Sequence, residues 1–416
     1  MKRRLWVWSP PQLVGVLDET QDGFCFQYSQ QWLDSDEGFA ISASLKKDSR
    51  VYHREAQIFF GNLLPEGNPR SALCQKLGIS VDNDFELLLR IGHDCAGALV
   101  ITNEEHDSTE KSDLEEVSTA MLAAWFKNDS AGILSLQLKG GLRFSLAGAQ
   151  NKLPLIYKHK RFYRPLGFQP TTHILKPNPR RFQRVPENEW IQTQVYAALG
   201  VPTVDAELVK IGENFVLVVG RYDRQQINGQ WSRLHQEDFC QALAVPYQRK
   251  YETEGGPSFI DCCRLIEERS DSVVEDLDAI LKWQILNVLT GNCDGHAKNL
   301  SLLRSSAGRW RLAPFYDLVA TRFYPNLSHK LAMAVAGQFD SGTVLPSHWQ
   351  AVFSLSRVSP AAYMELVRDI IRKLPGAVEE SIDRFKNQYG ECASVYAIQK
   401  YYTKLIKRNS KLILKP

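Results

Sequence analysis

Two acids and an amide stand in a fixed order behind an apolar helix: Asp294, then Asn299 five residues on, then Asp317. The helix is predicted over residues 277–289, where Leu277, Ile280, Leu281, Ile285, Val288 and Leu289 share one stripe and Gly291 suits the stop position. Directly after it comes Asn292-Cys293-Asp294-Gly295-His296-Ala297-Lys298-Asn299. Residues 300–303 and 310–312 then read as a hairpin around Ser305-Ser306-Ala307-Gly308, followed by Pro314-Phe315-Tyr316-Asp317. These are the parts that phosphoryl transfer needs: a first Asp to accept a hydroxyl proton, and an Asn and a second Asp to hold Mg²⁺ against phosphates. The hairpin returns the second carboxylate to the loop that carries the first. Oxygen ligands from two adjacent loops suit a hard ion that keeps several waters. Asp, Asn and Gly are also ordinary turn residues, so the ordered set, and no single member, points to chemistry.

The chain has 416 residues, more than one compact domain usually holds. A division into 1–105, 106–223 and 224–416 is expected. Hydrophobic residues make up 44% and charged ones 23%, which excludes a disordered or fibrous chain. Lys plus Arg is 50 against 47 for Asp plus Glu, so any nucleic-acid footprint must be local. No apolar stretch approaches the ~20 residues that span a bilayer, and no membrane partner is expected. The apolar run Leu5-Trp6-Val7-Trp8 is too short for a secretory signal and reads as a first strand. The eight cysteines show no Cys-x-x-Cys spacing, and the histidines form no His-x-x-x-His pair. Reduced thiols in a cytoplasmic protein are expected, and no zinc site.

Along the chain, residues 5–16, 23–28 and 97–102 have strand composition, while 57–64 and 85–91 have helical spacing. Residues 103–112 lack any apolar side chain and read as a loop, and 114–126 read as a helix. Strands are expected at 143–146, 153–157 and 171–175, then a helix over 187–199 closed by Gly200. Residues 206–211 and 215–219 pair across Gly212-Glu213-Asn214. Helices follow over 276–289, 360–373 and 378–389.

A nucleotide site also needs a phosphate cover and a cation. Ser145-Leu146-Ala147-Gly148-Ala149-Gln150-Asn151-Lys152 joins two strands with small residues, so backbone N–H groups can approach phosphate oxygens; an ordinary hairpin turn reads the same way. Lys176 closes an apolar strand and is placed either for phosphates or for the surface. Glu189, on the next helix, is a candidate partner for it. Gly220-Arg221-Tyr222-Asp223 can serve as a hinge with Tyr222 against adenine, or Tyr222 can be a core aromatic.

Taken together, these residues resemble the HipA toxin kinases. The resemblance rests on 145–152, Thr172-His173-Ile174-Leu175-Lys176, Arg221-Tyr222-Asp223-Arg224, Gln236-Glu237-Asp238-Phe239-Cys240-Gln241, Asp294-Gly295-His296-Ala297-Lys298-Asn299 and Pro314-Phe315-Tyr316-Asp317. Tyr251-Glu252 with Gly255-Gly256-Pro257, Lys330-Leu331-Ala332-Met333 and Phe59-Phe60-Gly61-Asn62-Leu63-Leu64-Pro65 are similar too. It implies an α+β, two-lobed protein-kinase-like fold with an N-terminal extra subdomain, a sheet-rich N-lobe and a helical C-lobe. The implied activity is ATP-dependent serine/threonine phosphorylation by a bacterial toxin, with glutamyl-tRNA synthetase as acceptor and growth arrest as outcome.

Carried over by motif, Asp294 is the base, Asn299 and Asp317 hold Mg²⁺, and Lys176 meets the phosphates. Ala147, Gly148, Ala149, Gln150, Asn151 and Lys152 cover ATP. Gly220, Arg221 and Tyr222 match the adenine-contacting stretch, and His296, Ala297, Lys298 and Tyr316 line the site. Ser145 matches an inactivating autophosphorylation site; a phosphate there adds about −1.5 to −2 charges to a loop facing an anionic nucleotide. The implied partner is a HipB-like helix-turn-helix antitoxin. Residues 337–342 carry no basic side chain where the family touches DNA, so operator DNA is expected mainly through the antitoxin. The tail from Cys392 onward holds six basic residues and no acid, a solvated helix end or a partner contact. The rival readings are a same-fold kinase for another synthetase, a lipid or a small molecule, and a catalytically weak co-repressor.

Overall fold

The computed structural model describes residues 3–103, 113–127, 150–166, 169–354 and 359–413. The chain forms two compact units: Met1–Arg180 with Lys210–Gln248 and Leu303–Gly308, and Arg181–Val209 with Arg249–Leu302 and Arg309–Pro416.

The first unit opens with β1 (Arg4–Ser9), β2 (Gln12–Thr20), β3 (Gly23–Tyr28), β4 (Val51–Tyr52) and β5 (Val100–Thr102), in the sheet order β4-β3-β2-β1-β5. The expected single strand over 5–16 is thus a hairpin. Pro10 and Pro11, with no N–H to give a ladder, turn the chain, and Trp8 pairs with Leu13 across it. Period-two alternation buries Leu5 and Val7 of β1 and Phe24, Phe26 and Tyr28 of β3. Among the helices α1 (Gln30–Asp34), α2 (Arg54–Gly61), α3 (Gly67–Leu77) and α4 (Asp84–Ile91), α2 and α4 bring Phe59, Phe60, Phe85 and Leu88 onto this face.

The second sheet of this unit has the order β10-β11-β9-β7-β8-β6, from β6 (Leu114–Val117), β7 (Leu153–Lys158), β8 (Arg161–Pro165), β9 (His173–Lys176), β10 (Ala206–Ile211) and β11 (Asn214–Gly220). Residues 114–126 are therefore not one helix. Leu114–Val117 pairs with β8, where Glu115 meets Arg164 and Glu116 meets Arg161, and only then does α5 (Thr119–Lys127) begin. The Ser118 hydroxyl accepts the N–H of Met121 at 3.2 Å and starts that helix. The loop expected over 103–112, apart from Asn103, and the strand expected over 143–146 lie outside the described residues.

The second unit is mainly helical. Helix Val185–Ala198 packs on helices Pro360–Tyr389 and Ala393–Ile413, and these two in turn pack on helix Val273–Thr290. The two helices expected over 360–373 and 378–389 are one helix of 30 residues that runs through Pro375. Its buried stripe, Val367, Ile370, Ile371, Leu374, Ala377, Val378, Ile382 and Phe385, keeps helical spacing across the proline, so packing outweighs the lost hydrogen bond. The short hairpin Ser301–Arg304 and Trp310–Leu312 sits where the sequence predicts it.

Candidate active site

The loop after helix Val273–Thr290 is held from below by a buried polar cluster. Gly291 has φ +75° and gives its N–H to Asn287 O at 3.0 Å, and a Cβ there would lie 2.6 Å from Tyr401 Oη. Asn287 Oδ1 accepts from Tyr196 Oη at 2.8 Å and from Asn292 Nδ2 at 2.9 Å. Cys293 N–H donates to Thr321 Oγ1 at 2.8 Å, and Asp294 N–H donates to Asn292 Oδ1 at 3.2 Å. Gly295 has no room for a side chain: a Cβ would meet Asn287 Nδ2 at 2.7 Å and Trp283 Cζ2 at 2.9 Å. Trp283 is itself fixed by stacking on Phe315, ring centres 5.6 Å apart.

From Gly291 to Leu300 every residue is buried except Asp294, which is exposed. Its backbone oxygen accepts from His296 N–H and from Asn299 Nδ2, both at 2.9 Å. That second bond commits the nitrogen of the Asn299 amide and leaves its oxygen as the atom that could meet a cation. Tyr316 ties the two loops together, donating to Lys298 O at 2.8 Å and lying 2.8 Å from Ser301 Oγ. The next residue, Asp317, takes φ +58°, a left-handed backbone that Asp tolerates better than most side chains. The hairpin thus returns Asp317 to the loop of Asp294 and Asn299.

His296 is held neutral, its pKa well below the usual histidine value, because burial and then the charges of Lys250 and Lys298 oppose a proton, against the pull of Asp317. Its Nδ1 is a buried polar atom with no hydrogen-bond partner among the described residues. Burial likewise pushes the Cys293 thiol up to about 11, so it is no nucleophile. Among the described residues there is no group of three or more His, Cys, Asp or Glu that could hold a metal. The donor set is instead one amide oxygen and one carboxylate, which fits a hard cation completed by waters and phosphate oxygens.

The first unit carries most of the other expected residues. Lys176 is buried on β9, opposite Leu217 of β11, and Gly220 ends β11 opposite His173. Glu189 is buried on helix Val185–Ala198 of the second unit. Gln150, Asn151 and Lys152 lead half-buried into β7; Ser145, Ala147, Gly148 and Ala149 lie outside the described residues. Tyr222 is half-buried and donates its hydroxyl to Gln236 Oε1. Arg221 differs from a side-chain nucleotide contact. Its guanidinium is turned inward, bonded to Asp223 at 3.0 and 2.9 Å, to Asp94 at 3.2 Å, to Thr171 Oγ1 at 3.0 Å and to Cys95 O at 2.8 Å. A buried arginine demands such partners, and they use all its nitrogens.

Residues 144–381 match the family described as the HipA-like C-terminal domain, and residues 5–102 match the HipA N-terminal domain. The chain belongs to the HipA family. It is 38% identical over 395 residues to a Sinorhizobium fredii protein named "Putative kinase Y4mE", covering 92% of this chain and 91% of that one. It is 29% identical over 385 residues to the serine/threonine-protein kinase toxin HipA of Shewanella oneidensis, covering 89% and 87%. A solved Shewanella oneidensis structure, of HipA with HipB and its operator DNA, superposes with a TM-score of 0.86 at 27% identity, over 98% of this chain and 97% of that one. The HipA family is one of kinases, and the α+β, kinase-like fold that the resemblance implied is the fold the chain has.

Several site residues escaped the sequence reading as individuals. Asn287 and Trp283 lie on the buried helix and look there like core, and Tyr251 appeared only within a motif. The signal was present in the small residues opposite them, Gly295 and Gly255-Gly256, which mark places where something must approach closely.

Proposed function

We propose that this protein is an ATP-dependent serine/threonine protein kinase and the toxin of a HipBA-type toxin–antitoxin module, acting in the cytoplasm. The observation that carries the reading is a carboxylate, Asp294, alone exposed in a buried loop, with Asn299 and Asp317 tied around it by Tyr316. Asp294 takes the proton of a serine or threonine hydroxyl as that oxygen attacks the γ-phosphorus and ADP leaves in line. Asn299 and Asp317 are the residues that would hold Mg²⁺, whose charge would offset that of the phosphate oxygens. Neutral His296 lines the site and adds no second base. Lys176 and the loop 145–152 are assigned to the phosphates, and Gly220 and Tyr222 to the adenine side. The acceptor is proposed to be a translation factor, glutamyl-tRNA synthetase, with phosphate on Ser145 as the off-switch. A HipB-like antitoxin and, through it, operator DNA are the proposed partners.

The test is to incubate wild type, Asp294→Ala and Asp317→Ala with Mg-ATP and map phosphate by intact and peptide mass spectrometry. Wild type should carry phosphate on Ser145 and phosphorylate added glutamyl-tRNA synthetase, and both variants should fall by at least about a hundredfold. Undiminished transfer by Asp294→Ala would overturn the assignment.

A further inference from the structure

Beside the candidate base, on a turn that the phosphoryl-transfer reading does not use, stands Tyr251. Its hydroxyl donates to Asp294 Oδ1 at 2.6 Å. Its ring meets the His296 ring edge-on, centres 5.2 Å apart and planes at 85°, and the Lys250 ammonium sits 5.6 Å from its own ring centre. We propose that Tyr251 is a positioning residue for phosphoryl transfer, one that holds the Asp294 carboxylate in the orientation in which its other oxygen receives the acceptor's proton. This inference rests on the kinase reading and extends it to a residue that acts through Asp294.

The surrounding chain is built to fix that hydroxyl. Tyr251 O accepts the N–H of Glu254 at 3.0 Å and of Gly256 at 2.9 Å, closing a tight turn. The turn needs both glycines. Gly255 has φ +82°, and a Cβ on Gly256 would lie 2.1 Å from Arg249 O and 2.7 Å from Tyr251 O. From its other side the turn is anchored by Glu252, whose carboxylate accepts the N–H of Ala334 at 2.7 Å from strand Lys330–Val335. Backbone, ring face and hydroxyl are thus each held by a separate contact. Asp294 is the exposed member of its loop, and the Tyr251 hydroxyl bears directly on its carboxylate. A donor on one carboxylate oxygen stops the group rotating about its last torsion, where an aspartate otherwise moves freely.

The experiment is a double-mutant cycle on the full chain: wild type, Tyr251→Phe, Asp294→Ala and the double variant, each with Mg-ATP, reading phosphate uptake and ADP release against ATP concentration. Phenylalanine keeps the ring and its contact with His296 and removes only the hydroxyl. If Tyr251 acts through Asp294, Tyr251→Phe lowers kcat about tenfold at unchanged KM for ATP, the size expected for a hydrogen bond to a charged group. The same change in the Asp294→Ala background then has no further effect, because there is no carboxylate left to orient. A Tyr251→Phe enzyme as fast as wild type would overturn the inference, as would an equal loss in both backgrounds, which marks a structural role. A wild type without phosphate uptake, or an Asp294→Ala variant equal to it, would instead overturn the kinase reading itself, and this inference with it.

Discussion

At the level of single residues, the site depends on what is absent as much as on what is present. Gly295 follows Asp294 directly and lies with Asn287 and Trp283 where its side chain would be. Trp283 cannot yield, because it is stacked on Phe315 just before Tyr316 and Asp317. Gly295→Ala is therefore expected to displace the loop and not the helix beneath it. The cost should be about 1–3 kcal/mol of stability, as for overpacking, with a loss of phosphate uptake of more than tenfold. Urea unfolding and the mass-spectrometric transfer assay check the two halves separately. The proposed roles of Asp294, Asn299 and Asp317 were legible from type and spacing alone. That of Tyr251 was not, since 43 residues separate it from Asp294.

At the level of elements, two corrections share one cause. Residues 114–117 have the composition of a helix start, yet they form a strand because β8 pairs with them, with Arg164 opposite Glu115, Tyr163 opposite Glu116 and Arg161 3.3 Å from the Glu116 carboxylate. Residues 360–389 carry Pro375 and Gly376, which locally end a helix, yet the helix continues because its apolar stripe does. Both outcomes were set by partners distant in sequence. Gly376 is then a weak point with no compensating contact: nothing lies within 4 Å of a Cβ built there. Gly376→Ala should raise stability by about 1 kcal/mol, seen as a higher urea midpoint with an unchanged slope. Helix Val185–Ala198 and helix Val273–Thr290, which carry uninterrupted patterns and end at Gly200 and Gly291, fall within two or three residues of their expected bounds.

At the level of the whole molecule, the N-terminal segment is tied to the rest of the first unit by a cluster of buried charges. Asp94 accepts from Arg224 at 2.8 Å and from Arg221 at 3.2 Å, and Asp223 lies within 3.0 Å of both arginines. The two arginines hold the Asp223 carboxyl well below the usual carboxylate range despite its burial. Removing one carboxylate strands buried guanidinium groups. Asp94→Ala should cost about 3–5 kcal/mol in urea unfolding, against at most about 1 kcal/mol for Glu115→Ala in the more exposed pair with Arg164. A far smaller loss for Asp94→Ala would mean that water reaches the cluster.

The sequence by itself determined the ordered set Asp294, Asn299 and Asp317, the apolar stripes behind it and the glycines that stop its helix. Spacing along a chain is local information, and helix and turn chemistry act over a few residues. Only the tertiary structure decided that Arg221 turns inward, that 114–117 is a strand, that the helix through Pro375 stays whole and that Tyr251 reaches Asp294. Each of those depends on a partner tens of residues away or on burial across a whole face. Desolvation and packing depend on the three-dimensional surroundings, which no window along the chain contains.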